Sequence, residues 1–246
     1  MARSLEPPDA VDHTTASPAI ASVAALGEPT RRAVYEWVAS QGDWVGRDAT
    51  AAAVGLERGT AAHHLDRLAA DGLLVVDYRR LTGRRGPGAG RPAKVYRRAE
   101  RELNVTLPPR DYELAGRMLA DAVARASSEG VAIDAAVEEV SAAEGRRLAS
   151  QIAPALDDLP RRDRARRREA VLAALEREGY EPAVVDDVVV LRNCPFHRLA
   201  QQQTELICGM NLCMLRGALA ELEDVGLAAR LDPAPGRCCV TLGAPD

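Results

Sequence analysis

The sequence predicts a mainly α chain with small β elements, an α+β protein. Three observations carry this. Apolar residues recur at helical spacing through most of the 246-residue chain. Short Val-rich runs beside turn residues interrupt that spacing near residues 74, 94, 184, 190 and 240. A hydrophobic content of 47% is ample for folded cores, and the length accommodates two modest domains. With one Phe and two Trp in the chain, Ala, Leu and Val must fill those cores.

In chain order, residues 1–18 carry Pro and Asp without an apolar stretch. They read as a disordered tail and not as a secretory signal. A helix opens at Glu28 or Thr30 and runs to Ser40, with Val34, Trp37 and Val38 on one face. Arg47–Val54 is a short Ala-rich helix. Gly55 supplies the left-handed turn after it. Arg58–Ala70 is the next helix, closed by Asp71-Gly72, with Leu65 and Leu68 turned inward. Leu73–Arg80 and Ala93–Arg98 read as paired strands, with Leu74 and Val76 on one side. The Gly-, Arg- and Pro-rich stretch between them cannot pack a core and forms a tip. Two helices at this spacing followed by a hairpin make a winged helix-turn-helix over residues 19–100.

Charge points this domain at nucleic acid. The net charge is −4, yet Asp77 to Arg98 holds eight basic residues and one acid. A local basic patch, not the whole-chain balance, decides contact with phosphates. The expected partner is double-stranded operator DNA. Arg58, Thr60, Ala61, His64 and Arg67 are expected outward on the groove-reading helix, with Arg47 at the start of the preceding one. Arg84, Arg85 and Arg91 on the tip, and Lys94 on the return strand, are expected at phosphate or the minor groove. The other reading of the same elements is a protein–protein module. The adjacent His63-His64 point about 100° apart on a helix and share no metal easily.

Residues 108–178 read as three helices, Asp111–Ser128, Ile133–Ile152 and Arg161–Glu178. The first has an apolar stripe of Leu114, Met118, Leu119 and Val123. It is a natural dimer interface, and two-fold symmetry would match a pseudo-palindromic operator. The Arg161–Arg168 cluster reads as a solvated helix face.

All five cysteines lie in the last quarter: Cys194, Cys208, Cys213, Cys238 and Cys239. Their odd number disfavours a disulfide framework and favours a metal or redox site in a reduced, cytoplasmic protein. Residues 179–246 form an α+β domain around them. Gly179 ends a helix, and a hairpin turns at Asp186-Asp187. Leu199–Leu222 is helical, and a second strand pair brackets Pro233–Gly236. Unbroken helix would hold Cys194 and Cys208 about 21 Å apart. The helix must therefore break at Gln203-Thr204, with Thr204 as N-cap of the second half. Cys208 then sits near a positive helix end that would favour its thiolate. Cys213 is about 140° around that helix from Cys208 and reads as core. Cys238 and Cys239, in regular strand geometry, point to opposite faces, so one of them joins a given site. No C-x-x-C pair of the usual zinc kind occurs. Three separated thiolates with an exchangeable fourth ligand suit a labile iron–sulfur cluster. His197 and Cys239 are the nearby candidates for the fourth position.

Asn193-Cys194-Pro195-Phe196, Ile207-Cys208-Gly209-Met210, Gly236-Arg237-Cys238-Cys239-Val240 and the wing phrase Gly90-Arg91-Pro92-Ala93-Lys94-Val95-Tyr96-Arg97 carry a resemblance. Over about Gly27 to Leu242 the chain resembles the SufR-type iron–sulfur sensing repressors. The resemblance implies a homodimeric repressor of iron–sulfur cluster assembly genes, not an enzyme. Cys194, Cys208 and Cys238 would ligate the cluster, with [4Fe-4S] favoured over [2Fe-2S]. The holo form would hold the operator more tightly than the apo form. Some relatives carry a further cysteine in the stretch that is Ala220–Gly226 here; this chain has none. Two rivals stand beside this reading. One is a zinc- or thiol-redox-responsive regulator of the same architecture. The other is an enzyme using Cys194 with His197, for which the sequence offers no acid partner, oxyanion motif or cofactor loop. No run of eighteen apolar residues exists, so no membrane span is expected.

Overall fold

The computed structural model describes residues 18–80 and 92–245. The expected tail over 1–17 and the tip residues Arg84, Arg85 and Arg91 lie outside them. The chain divides into two compact units, Met1–Val105 and Thr106–Asp246. The protein is mainly helical with two small antiparallel sheets. Among the described residues, no helix is long and apolar enough to cross a membrane.

The first unit runs α1 (Pro18–Ala25), α2 (Pro29–Gln41), β1 (Val45–Gly46), α3 (Arg47–Val54), α4 (Arg58–Ala70), β2 (Leu74–Arg79) and β3 (Ala93–Arg98). Local chemistry sets the boundaries. The Glu28 carboxylate accepts from the Thr30 and Arg31 amides at 2.8 and 2.6 Å, and Pro29 takes the first helical position of α2. Gly55, at φ 70°, turns the chain between α3 and α4. Val34, Val38, Leu65, Leu68, Leu73, Leu74 and Tyr96 form the core. Two elements escape sequence reading. The Ala-rich α1 is docked by Ser22, whose Oγ donates to Asp71 O at 2.7 Å. The two-residue β1 completes a sheet in the order β1-β3-β2. Val76 does not share the burial of Leu74 and stands exposed on β2.

The second unit runs α5 (Tyr112–Glu129), α6 (Ile133–Asp157), α7 (Arg164–Arg177), β4 (Pro182–Val185), β5 (Val188–Leu191), α8 (His197–Gln202), α9 (Thr204–Glu221), a 3-10 turn (Glu223–Val225), β6 (Ala228–Leu231) and β7 (Val240–Gly243). The sheet order is β4-β5-β7-β6, antiparallel throughout. Asp186 and Asp187 both take positive φ, 47° and 67°, the two-residue turn that matches the twist of a hairpin. One core joins α5, α6, α7, α9 and the sheet. The helices read as a linker over 108–178 thus share their core with the cysteine-bearing segment.

Two details differ from expectation. The buried stripe of α5 is Leu114, Ala115, Met118 and Ala122, while Val123 is 56% exposed, because the stripe follows 3.6-residue periodicity past the Leu119–Val123 edge. The Arg161–Arg168 cluster is not a uniformly solvated face. Buried Arg167 donates to Leu156 O at 2.7 Å and Leu159 O at 3.1 Å, and Arg168 donates to Gly226 O at 3.0 Å. These guanidiniums satisfy carbonyls that the end of α6 and a loop leave open. α9 also approaches α6 closely at two glycines. A Cβ on Gly145 would lie 2.0 Å from Met214 O, and one on Gly217 2.5 Å from Ala142 O.

Candidate functional site

The four-stranded sheet explains how distant cysteines meet. β5 and β7 pair antiparallel, Val189 with Leu242 and Val190 with Thr241. The end of β5 therefore lies beside the start of β7. Cys194 follows β5 within three residues and Cys238 precedes β7 by two. The Cys238 amide donates to Leu191 O at 2.8 Å, and the Asp232 amide to Cys239 O at 2.7 Å, locking the two loops at one sheet end. The chain breaks at Gln203 between α8 and α9 and brings Cys208, five residues into α9, to the same place.

The thiols fall into two neighbouring pairs. Cys194 lies near Cys238 and Cys208 near Cys239, each pair close enough for one thiol to act as donor toward the other's thiolate and so shift its ionisation. Cys208 also feels Cys194, and Cys238 feels Cys239, so the pairs adjoin. Cys238 as donor lowers the Cys194 thiol to about 7 against the opposing effect of burial, helped by the Phe196 amide and the Arg110 charge. Burial, then Cys239 and Cys194, pushes Cys208 up to about 12. Cys238 is raised as well, first by Cys194 and then by burial.

The start of α9 was expected to favour a Cys208 thiolate; burial first, and then neighbouring sulfur, act in the opposite direction. Thr204 is not the N-cap either. It begins α9, and its Oγ1 donates back to Ala200 O at 2.7 Å. Cys238 and Cys239 both join the group, because they lie in a bend before β7 where strand alternation does not apply. Cys213 stays apart and half-buried, acted on by burial and Glu138. His197 is exposed at the first position of α8, and its amide donates to Cys194 O at 3.1 Å.

Side chains that sequence reasoning missed surround the sulfurs. Asn211 Nδ2 donates to Cys238 Sγ at 3.3 Å, and the Val240 amide approaches the same sulfur at 3.5 Å. Buried Tyr180 Oη donates to Asn211 Oδ1 at 2.6 Å, which fixes the amide so that its NH2 faces sulfur. A lone Asn in the apolar run Gly209–Leu215 was the available signal. Asn193 is a hub: its Nδ2 donates to Pro109 O at 2.9 Å and Gly179 O at 2.6 Å, while its Oδ1 accepts from Arg110 Nη1. The Asp111 amide donates to Pro195 O at 3.1 Å. The Cys194 loop is thus bonded to residues 109–111.

Among the described residues no group of three His, Cys, Asp or Glu is gathered as a ready site for one metal ion. The donor set fits a larger group held through sulfur. It comprises four adjoining thiols and, at Cys194 and Cys238, N–H donors aimed at sulfur, which stabilise thiolate over thiol.

On the first unit, Arg47, Arg58, Thr60 and Arg67 are exposed. Arg58 pairs with Asp48 at 2.6 Å, Arg67 with Asp71 at 3.1 Å, and Lys94 with Asp66, which also accepts from Tyr96 Oη at 2.7 Å. Two expected DNA-facing residues are not outward. Ala61 is fully buried, being on the Leu65–Leu68 face of α4. The His64 side chain is largely covered and lies 3.7 Å from the Glu28 carboxylate at the start of α2. Comparison with protein-family models, curated proteins and solved structures returns no match for this chain. Fold and site together define an α+β protein of two units, the second bearing three buried cysteines and the half-buried Cys239 near one another.

Proposed function

We propose that this protein is a DNA-binding transcription regulator of the SufR type, responsive to an iron–sulfur cluster. The observation that carries the reading is that the Cys194 and Cys238-Cys239 segments are held at one sheet end, with the helix bearing Cys208 bonded to Cys238 Sγ through Asn211 at 3.3 Å. Cys194, Cys208 and Cys238 would hold the cluster, with Cys239 in the fourth place. When bound, such a cluster supplies sensitivity to oxidants and iron supply through its own lability.

The first unit supports the DNA half of the reading. α3, the Gly55 turn and α4 stand before the β2–β3 hairpin in the order of a winged helix-turn-helix. α4 would enter the major groove, presenting Arg58, Thr60 and Arg67, with Arg47 and Lys94 toward the backbone. The Asp48 carboxylate is exposed, so exchanging it for phosphate costs Arg58 little, whereas Asp71, the partner of Arg67, is largely covered. The protein would act on operator DNA as a homodimer.

Asn193, Arg110, Pro109 and Asp111 all lie in the second unit. They bond the Cys194 loop to the stretch that directly follows Thr106, where the second unit begins. A change of ligation at Cys194 is therefore felt first by the connecting chain. Gel shifts under anaerobic conditions test this. The cluster-loaded wild type is expected to hold its operator about 5–150-fold more tightly than the apo form. Arg110→Ala is expected to keep its iron and lose most of that difference. Equal affinity of loaded and apo wild type removes the sensing claim.

The Cys194–Cys238 contact favours one second reading, a thiol-redox regulator of the same architecture. The two thiols would join as a disulfide, and a peroxide would take the two electrons and two protons and leave as two waters. Colourless protein, free of iron and sulfide after anaerobic reconstitution, selects that reading.

A further inference from the structure

One arrangement on the first unit is unused by the reading above. Trp44 lies just before β1, and β1 pairs with β3, Val45 opposite Tyr96. This register sets Trp44 beside Arg97. The guanidinium carbon of Arg97 lies 5.1 Å from the Trp44 ring centroid, and that of Arg79, from β2, lies 4.4 Å from it. Two arginines from neighbouring strands thus share one indole. Both keep exposed surface, 47% of the Arg79 side chain and 39% of the Arg97 side chain. Each touches one carboxylate, Arg79 with Asp77 at 2.7 Å and Arg97 with Glu100 at 3.3 Å.

Gathering two like charges is unfavourable unless something offsets it. The indole face does so by cation–π attraction, and it also fixes both side chains. A guanidinium stacked by its face leaves its in-plane N–H groups free at the edge, the geometry that meets phosphate oxygens. Because stacking removes rotamer freedom before binding, less is lost when the contact forms. We infer that Trp44, Arg79 and Arg97 form a preorganised phosphate clamp, placed on the strands of the β2–β3 hairpin, that grips the backbone of duplex DNA. The inference rests on the DNA-binding reading and adds to it a contact apart from α4 and from the hairpin tip. The clamp reads no base. It contributes to every duplex equally and sets the register of the hairpin on the backbone.

Titration of duplex DNA over a range of salt concentrations tests it, on wild type, Arg79→Gln/Arg97→Gln and Trp44→Leu. A phosphate contact removed lowers the slope of log affinity against log salt by about 0.9, so the double variant is expected to lose about 1.8. Trp44→Leu keeps both charges; it is expected to keep the slope and weaken binding about two- to fivefold. Independently of these variants, Trp44 is the sole indole once Trp37 is replaced by Phe. Its emission is expected to change on saturation with DNA. An unchanged slope in the double variant, with unchanged Trp44 emission, overturns the clamp while leaving the DNA-binding reading intact. Failure of wild type to bind any duplex overturns both.

Discussion

Anaerobic reconstitution of Cys194→Ser or Cys238→Ser yields protein with no bound iron or acid-labile sulfide, whereas Cys213→Ser and His197→Ala load like wild type. This is the largest expected functional effect. A serine hydroxyl stays protonated where a thiol ionises, so the ligand is lost and not merely weakened. The two cysteines also anchor the geometry. Cys194 lies in the loop bonded to Pro109, Arg110 and Asp111, and Cys238 takes hydrogen bonds from Asn211 and Val240. Loss of either sulfur removes a ligand and leaves an N–H donor of the pocket facing a poorer acceptor. Cys208→Ser is expected to behave in the same way. Cys239→Ser separates the three-thiolate from the four-thiolate arrangement: partial, short-lived loading is expected, because Cys239 lies next to Cys238 in the chain and near enough to Cys208 to shift its thiol. Cys213 serves as the control because its surroundings are Glu138 and Arg216, not sulfur. Full loading of both Cys194→Ser and Cys238→Ser would sink the cluster reading.

Local signals made much of this molecule legible. Arg47–Val54 and Arg58–Ala70 stand in the structure at the bounds their composition predicts, because Gly55 and the Asp71-Gly72 turn punctuate them unambiguously. The break before Cys208 was legible from distance alone, since unbroken helix forbids a shared site. What stayed hidden depends on long-range pairing. α1 and β1 are too short to show a period, and β1 exists only because β3 lies beside it. The outward placement of Ala61 failed because the helical stripe of α4 is wider than Leu65 and Leu68. Strand alternation argued that Cys238 and Cys239 part, and the bend before β7 brings both to the site. Tyr180, Asn193 and Asn211 sit in apolar or loop surroundings, where only the folded partners reveal why a polar atom is buried. Within the basic stretch, Arg79 and Arg97 both lie over Trp44, which comes from a different segment and which a charge run does not reveal.

The largest effect on stability is expected from single methyl groups added at Gly145 and Gly217. α6 and α9 form the centre of the second unit, and their backbones touch at these two positions. A Cβ on Gly145 meets Met214 O at 2.0 Å and Ala218 N at 2.7 Å; one on Gly217 meets Ala142 O at 2.5 Å and Ala142 Cα at 2.9 Å. The opposing atoms are backbone, so no side-chain rotation relieves the overlap and the helices must separate. Overpacking of this kind costs about 3 kcal/mol or more, and a loss of that size lowers the melting temperature by roughly 10 °C. Gly116→Ala on α5 is the matched control. Nothing lies within 4 Å of its Cβ position, so the better helix former is expected to stabilise by about 0.5–1 kcal/mol. The opposite signs of one chemical change isolate the helix contact from helix propensity. The same contact reaches the thiols, because α9 carries both Cys208 and Asn211. Spreading α6 from α9 shifts these two together relative to Cys194 and Cys238, so Gly217→Ala is expected to load less iron at temperatures where it is still folded. Thermal melting by circular dichroism, read beside iron content, measures both. Melting of Gly145→Ala and Gly217→Ala within a degree or two of wild type would show that the helices have room to accept the methyl group, and would refute the close packing on which the position of Cys208 depends.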